Sequence, residues 1–474
     1  MIRRKALDGT PYAGNPHVRF DEGEVTPAAT PRGGVLFSKK ILMVIGAVVA
    51  LTNMVGAAPG VGSVTYRQDA VTKLVTVTYV LSVEPGIPIL DICTNGVSVG
   101  WENVRGAYGD VHKVVQNGSA VRTIYWNPGK YREVEERLGR LDSGVTAVVR
   151  VWPTNNPPDV MVVNCEKAYE GRDEAVRYYA SFKNLPEGTV NCTAYKTVRK
   201  MAFRKVPAAG IVWRMGSPAS EEGRSSTYEA QHKVKLISNY YLGVFEVTQS
   251  QFARFYSNPS FFKTDGDMRP VEGVSWHEVR GSDAIWPGTT RSAAYASVGS
   301  TSFLGKFRTH TGGMKFDLPT EAQWEFACRA GSGAAFPDGS NLSTSSEASW
   351  PYLETHSRYK NNSGADATTS DNTLSTNDAT AAVGSYQPNR WGFYDMHGNV
   401  LEWTLDWYEP YDTAGDITEN PCGAASDSTN PNKRTVRGGS YLLAPYYERS
   451  ANRYGGTRTH GSRHIGFRLC LPLD

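Results

Sequence analysis

The sequence predicts an α+β protein in which a small all-β unit precedes a larger, loop-rich unit of mixed structure. Three observations predict it. Apolar residues alternate with polar ones at Val75, Val77, Tyr79 and Leu81, and again at Ala147, Val149 and Val151, the period of a half-buried strand. Helix starts of one form appear only later, at Thr248-Gln249-Ser250-Gln251, Ser275-Trp276-His277-Glu278 and Thr320-Glu321-Ala322-Gln323. The 47 Gly and 26 Pro in 474 residues imply many chain reversals. Hydrophobic residues at 40% exclude a wholly disordered chain. A net charge of +3 gives no reason to expect nucleic acid or an anionic membrane as partner.

Residues 1–34 show no periodicity and are assigned no fold; translation is expected to start nearer Val35 or Leu36. Residues 35–57 read as a signal peptide. Lys39-Lys40 precede the apolar run Ile41 to Leu51, and Val55 and Ala57 supply small residues for cleavage. The run is shorter than the roughly 20 residues a membrane span needs. A retained anchor is the alternative, and no further span is expected. The chain is therefore expected to be exported, of bacterial type, and secreted, periplasmic or on the cell surface. Export makes the six cysteines plausible disulfide partners, while the absence of any CxxC pair excludes a zinc ribbon or thioredoxin-type site.

Residues 58–159 read as a β-sandwich of immunoglobulin-like size, with hairpin signals at Asn95-Gly96 and Asn117-Gly118 and a short helix from Glu133 to Leu138. A spacer or adhesive role suits it. Asn155-Asn156-Pro157-Pro158 marks a boundary. Residues 160–205 read as a connector with strands around Arg177-Tyr178-Tyr179 and Tyr195-Lys196-Thr197, and 206–474 as one unit. In each helix start a hydroxyl accepts from one orphan amide while the Glu or Gln three residues on reaches back to another. Phe252, Phe255 and Tyr256 then share one face, as do Trp324, Ala327 and Cys328, with Gly331 placed to end the third helix. The polar stretch from Gly339 to Asp378 is a long surface excursion.

No Walker loop, HExxH, GxSxG or dinucleotide fingerprint is present. His460 and His464 are four apart, but on a Gly-rich segment that does not place them together. Within Trp391 to Trp403, Asp395 and Glu402 are carboxylates among aromatics and must be paired, hydrogen-bonded or on a metal. Two readings stand: oxygen ligation of Ca²⁺, or a Glu402 salt bridge to a C-terminal arginine. Arg449, Arg453, Arg458 and Arg463 recur every four or five residues, either stitching loops together or forming a ligand-facing basic strip.

These segments together resemble the formylglycine-generating enzyme (sulfatase-modifying factor) family. The marks are Met215-Gly216-Ser217, Phe245-Glu246-Val247-Thr248, Pro270 to Trp276, Leu318 to Ala327, Gly392 to Trp403, Arg437 to Ser440 and Gly466-Phe467-Arg468. The resemblance implies a loop-rich, C-type-lectin-like α+β fold. In active oxidases of the family, two cysteines after the GGS segment bind copper and oxidise a sulfatase cysteine to formylglycine. Those positions are Leu443 and Glu448 here, and the family's tryptophan before the glutamate is Leu401. Copper(I) needs soft thiolates, and Leu443 offers none. Copper and oxidase chemistry are therefore not expected.

The resemblance also implies calcium, held by the Asp395 and Glu402 side chains and the carbonyls of Gly398 and Val400. It further implies a disulfide from Cys328, whose partner position is Leu469; Cys328–Cys470 is expected on the premise that a one-residue shift is absorbed. Cys165–Cys192 is a second candidate. Other family branches use the fold only for binding. Here Ser440, Tyr441, Tyr446, Tyr447, Asn452, Tyr454, Thr457, Thr459, His460 and Ser462 would make such a surface, rich in Tyr and small polar residues as in paratopes. The expectation is a calcium-stabilised binding or surface-interaction domain for an unnamed protein or glycan. A protein-modifying oxidase using other residues is the alternative, and self-association a third.

Overall fold

The computed structural model describes residues 60–473 except 83, 129–144, 167–170, 263–264, 283–296, 343–349, 364–378, 414–415 and 425–428. The expectations for residues 1–57 and for a helix at 133–138 lie outside the described residues.

The first strands are β1 (Thr65–Gln68), β2 (Val75–Ser82), β3 (Gly86–Thr94), β4 (Tyr108–Gly109), β5 (Val121–Trp126) and β6 (Val145–Pro153). One sheet pairs β2 with β1, with Gly60–Val61 and with β5, which carries β4 at its far edge; the other joins Val97–Ser98, β3 and β6. Strand β2 buries every second residue, and Val75, Val77, Tyr79 and Leu81 meet Leu90, Ile92, Ile124 and Trp126 between the sheets. Each such side chain taken fully from water contributes about 1.5–3 kcal/mol. Asn95 (φ 50°) and Gly96 (φ 78°) turn β3 into Val97–Ser98, both left-handed as a tight hairpin requires.

The second part contains β7 (Val160–Asn164), β8 (Val176–Tyr179), β9 (Lys200–Val206), β10 (Tyr240–Gly243), β11 (Leu401–Trp407), β12 (Lys433–Arg437), β13 (Arg453–Thr457), β14 (Ile465–Gly466) and β15 (Cys470–Pro472). Its helices include α1 (Gln249–Ala253), α2 (Trp276–Arg280), α3 (Phe303–His310) and α4 (Glu321–Arg329). An antiparallel sheet runs β8-β7-β9-β10-β15. The stretch read as a connector thus supplies β7, β8 and β9 of this sheet. Its second expected strand is not one: Thr193–Tyr195 is a 3₁₀ turn, closed by Tyr195 N on Cys192 O (3.2 Å). A second sheet runs β13-β12-β11-β14, with β14 parallel to β11. Among the described residues no helix is long and apolar enough to cross a membrane.

All three capping boxes form. Thr248, Ser275 and Thr320 each accept from the third helical amide, and Gln251, Glu278 and Gln323 return bonds of 3.0, 2.7 and 2.9 Å to the cap amides. Each cap contributes about 1 kcal/mol. Every residue of α4 is buried, so the face expected from Trp324, Ala327 and Cys328 is part of an all-round core helix. Ala330 takes the left-handed end position (φ 46°), one residue before the expected Gly331. Helix α3 was not anticipated, although Ser302 caps it and Phe303, Leu304 and Phe307 face the core.

Candidate functional site

Strand β11 carries Glu402 into the interior between β12 and β14, opposite Arg437 and Gly466. There Arg468 grips it with both arms of the fork, Nε to Oε2 and Nη2 to Oε1, each at 2.7 Å, and Trp324 Nε1 donates to Oε2 at 2.8 Å. This is the salt-bridge reading of Glu402. Arg468 also donates to the carbonyls of Gly243 (3.0 Å) and Tyr394 (2.9 Å), so one guanidinium ties β10, the segment before β11 and β11 itself. Two more acids lie within electrostatic reach. Glu246 accepts from Asn399 Nδ2 (2.6 Å) and Val400 N (3.1 Å), and Asp395 accepts from Gly384 N (2.7 Å). Burial, then the neighbouring carboxylates, push Glu246 well above the usual range; burial lifts Asp395 to about 6 against the pull of the Gly384 amide and Arg468.

Of the residues expected to hold calcium, Asp395, Gly398, Val400 and Glu402, the Glu402 oxygens accept from Arg468 and Trp324 and Asp395 accepts from Gly384 N. Among the described residues no group of three or more His, Cys, Asp or Glu is arranged to hold a metal ion. As placed, these residues form a knot centred on Arg468.

Leu443 and Glu448 stand at the positions where the resemblance implies the copper thiols. Leu443 packs half-buried against the core. Glu448 is fully buried; its Oε1 accepts from Ser440 N at 3.1 Å, and burial pushes its carboxyl well above the usual range. Beneath it lies a contact that sequence reasoning missed. The Glu448 carbonyl accepts from His397 Nδ1 at 2.6 Å, leaving Nε2 to accept from the Cys328 thiol at 3.5 Å. Burial holds His397 down to about 4 and Cys328 up to about 12, so the pair is neutral and supplies no thiolate nucleophile. These residues are 69 apart in the chain, and no local motif joins them.

The expected Cys328–Cys470 disulfide is absent, and Cys165 and Cys192 are also free thiols. Cys328 Sγ faces Met396 O and Ser450 Oγ as well as His397, whereas Cys470 Sγ faces Gln323. Successive residues of an extended segment point to opposite sides, so moving a cysteine from 469 to 470 reverses its direction. Leu469 occupies the core instead.

Of the four arginines, Arg449 and Arg453 stitch, while Arg458 and Arg463 are half-buried. Arg449 binds Glu221 (2.7 Å), Glu229 (2.8 Å) and Gly223 O; Arg453 binds Glu321 (2.8 Å), Tyr228 O and Glu409 O. Both are buried and cannot face a ligand. The expected binding surface divides as well. Ser440 and Tyr441 are inaccessible, and Asn452 is buried beside Glu229. Tyr447 (45% exposed), Tyr454 (52%), Thr457, Thr459 and His460 remain open, with Tyr446 and Ser462 half-buried.

Residues 199–472 match the sulfatase-modifying factor enzyme 1-like domain family. The formylglycine-generating enzyme of Mus musculus is 25% identical over 336 residues, covering 63% of this chain and 82% of the mouse protein. That of Streptomyces coelicolor is 36% identical over 161 residues, 33% of this chain and 47% of its own. Among solved structures, Treponema denticola variable protein 1 is 24% identical with a TM-score of 0.41, covering 57% of this chain and 95% of its own. PvdO from Pseudomonas aeruginosa is 22% identical with a TM-score of 0.41, covering 57% and 94%. With its family match spanning more than half of its length, the chain belongs to the sulfatase-modifying factor family.

Proposed function

We propose that this chain is an exported protein whose sulfatase-modifying-factor domain binds a protein or glycan partner and does not oxidise one. The observation that supports this is the pair at 443 and 448. A leucine and a buried glutamate spent on the Ser440 amide stand where the family's copper thiols are expected, and the nearby Cys328 is a neutral, buried thiol. Tyr447, Tyr454, Thr457 and His460 supply exposed aromatic and small polar contacts of the kind that binding surfaces use. The test is mass spectrometry of a sulfatase-type cysteine peptide incubated with the protein, copper and oxygen, beside an active family member. No aldehyde is expected from this chain; conversion would restore the oxidase reading.

A second reading concerns calcium, and charge is what favours it. Three buried carboxylates, Glu246, Asp395 and Glu402, face one buried guanidinium, Arg468, with Lys196 half-buried beside Asp395. A divalent cation would offset the excess. Binding would stabilise the fold by mass action, so a chelator should lower the melting temperature and added Ca²⁺ restore it. Identical melting curves with and without chelator would leave Arg468 as the resident counter-charge.

A further inference from the structure

We propose that Glu448 is a positioning residue: its carboxyl closes the segment from Ser440 to Glu448 into a fixed loop that presents Tyr447 to a partner. The side chain reaches back eight positions to accept from Ser440 N at 3.1 Å. Gly439, at φ 77°, lies against the carboxyl so closely that a Cβ has no room. Inside the loop, Leu443 N donates to Ser440 O and Tyr447 N to Ala444 O, both at 2.9 Å. Just beyond it, Arg449 Nε donates to Tyr446 O at 2.9 Å while its other nitrogens are fixed on Glu221 and Glu229. On the opposite side Lys360 N donates to Leu443 O (3.1 Å) and Ser363 Oγ to Tyr441 O (2.7 Å). Both ends of the loop are thus held by side chains, and its tip leaves Tyr447 45% exposed.

Among the described residues no ion pair reaches Glu448, which separates it from the buried acids of the arginine knots. A buried carboxyl without a counter-charge is costly, and the Ser440 amide offsets part of that cost. Positions 443 and 448 are also those at which a copper ion would tie an oxidase's loop. Here a hydrogen bond from side chain to backbone makes the tie at one of them. Holding a Tyr-bearing loop in one conformation lowers the entropy lost when a partner binds. That benefit rests on the binding reading; the closure of the loop does not.

The test needs no ligand. Amide hydrogen exchange is followed in the full chain for the parent, Glu448→Gln, Glu448→Asp and Glu448→Ala. Gln keeps an acceptor at the same reach, whereas Asp keeps the carboxyl but is one methylene too short. Amides from Ser440 to Tyr447 should exchange about tenfold faster in the Asp and Ala variants, and at close to the parent rate in Gln. Helix α4 and strand β11 should keep their protection in all four. Parent-like exchange in Ala, loss of protection in Gln equal to that in Asp, or loosening spread evenly through α4 and β11 would each overturn the proposal. If the Asp and Ala variants do not fold, the parent decides: a Ser440 amide exchanging like an unbonded one overturns it, and a protected one supports it. Failure to find a partner would count against the binding reading and leave these rates untouched.

Discussion

The two parts of this molecule each have an apolar core but differ in how much charge they bury. The sandwich of β1 to β6 is held by long ladders and an aliphatic core, and its notable buried charge is Asp91, paired at 2.8 Å with an Arg150 that is 41% exposed. The family domain has short strands, many loops and a set of inaccessible arginines: Arg280, Arg437, Arg449 and Arg468. Each cross-links distant segments, as Arg280 does with Asp317 (2.7 Å) and Arg437 with Glu321 (3.3 Å). Where a chain has few ladders, its loop carbonyls and carboxylates still need donors when buried, and a guanidinium supplies five in a fixed fork. The lesson is that the domain adds to its hydrophobic core a set of buried ion pairs that join distant segments.

The strongest way to break this contrast is Arg468→Met. Removing the guanidinium strands Glu402 beside Glu246 and Asp395, and should cost about 3–5 kcal/mol by denaturant titration, enough to unfold a marginal domain. Arg150→Met in the sandwich leaves the buried Asp91 with Ser98 Oγ as donor and should cost about 1–3 kcal/mol, less than Arg468→Met. Equal losses at the two sites would show that the two parts do not differ in kind.

The junction between the parts offers a second test. His112, from the sandwich, is buried against β8, its Nδ1 donating to Tyr178 O at 2.9 Å and its ring stacked 4.6 Å from Tyr179. Burial is the main cause, and nearby Arg177 a lesser one, of its fall from 6.5 to about 4. Because the folded value lies below the unfolded one, unfolded chains bind the extra proton first. The stabilisation is whole above pH 6.5 and is lost as pH falls towards 4, by up to about 3 kcal/mol. His112→Asn suits the left-handed backbone there (φ 61°) and should flatten that dependence. The comparison is the denaturation midpoint of variant and parent at pH 7 and at 4.5. A parallel fall in both would remove His112 from the account.

Much of the fold was legible because its signals are local. The three capping boxes formed as expected, since each needs only four consecutive residues, and β2 alternated because its two faces see different media. The strands β7 and β9 were harder: β9 finds its second partner in β10, more than thirty residues on, and the chain between gave them the look of a linker. Helix α3 had a cap at Ser302 and apolar residues at Phe303 and Phe307, a signal present and overlooked. Of the site, Glu402 was found, but its partner was left open between a metal and an arginine, because several arginines follow and sequence does not say which returns. The disulfide failed on direction, since a one-residue shift in an extended segment turns the side chain over. Burial of Ser440, Tyr441 and Asn452 was invisible for the same reason that polar residues usually lie outside; here Ser440 and Asn452 sit beside Glu448 and Glu229.

What the sequence determined by itself was what short-range chemistry determines: where helices begin, where strands alternate, which family the motifs belong to, and that positions 443 and 448 carry no thiol. Only the tertiary structure decided which carboxylate meets which arginine, that Cys328 meets His397, and which tyrosines face solvent. Those outcomes depend on contacts between residues tens to hundreds of positions apart. Their free energies come from desolvation and fork geometry in a packed interior, and neither exists until the chain has closed around them.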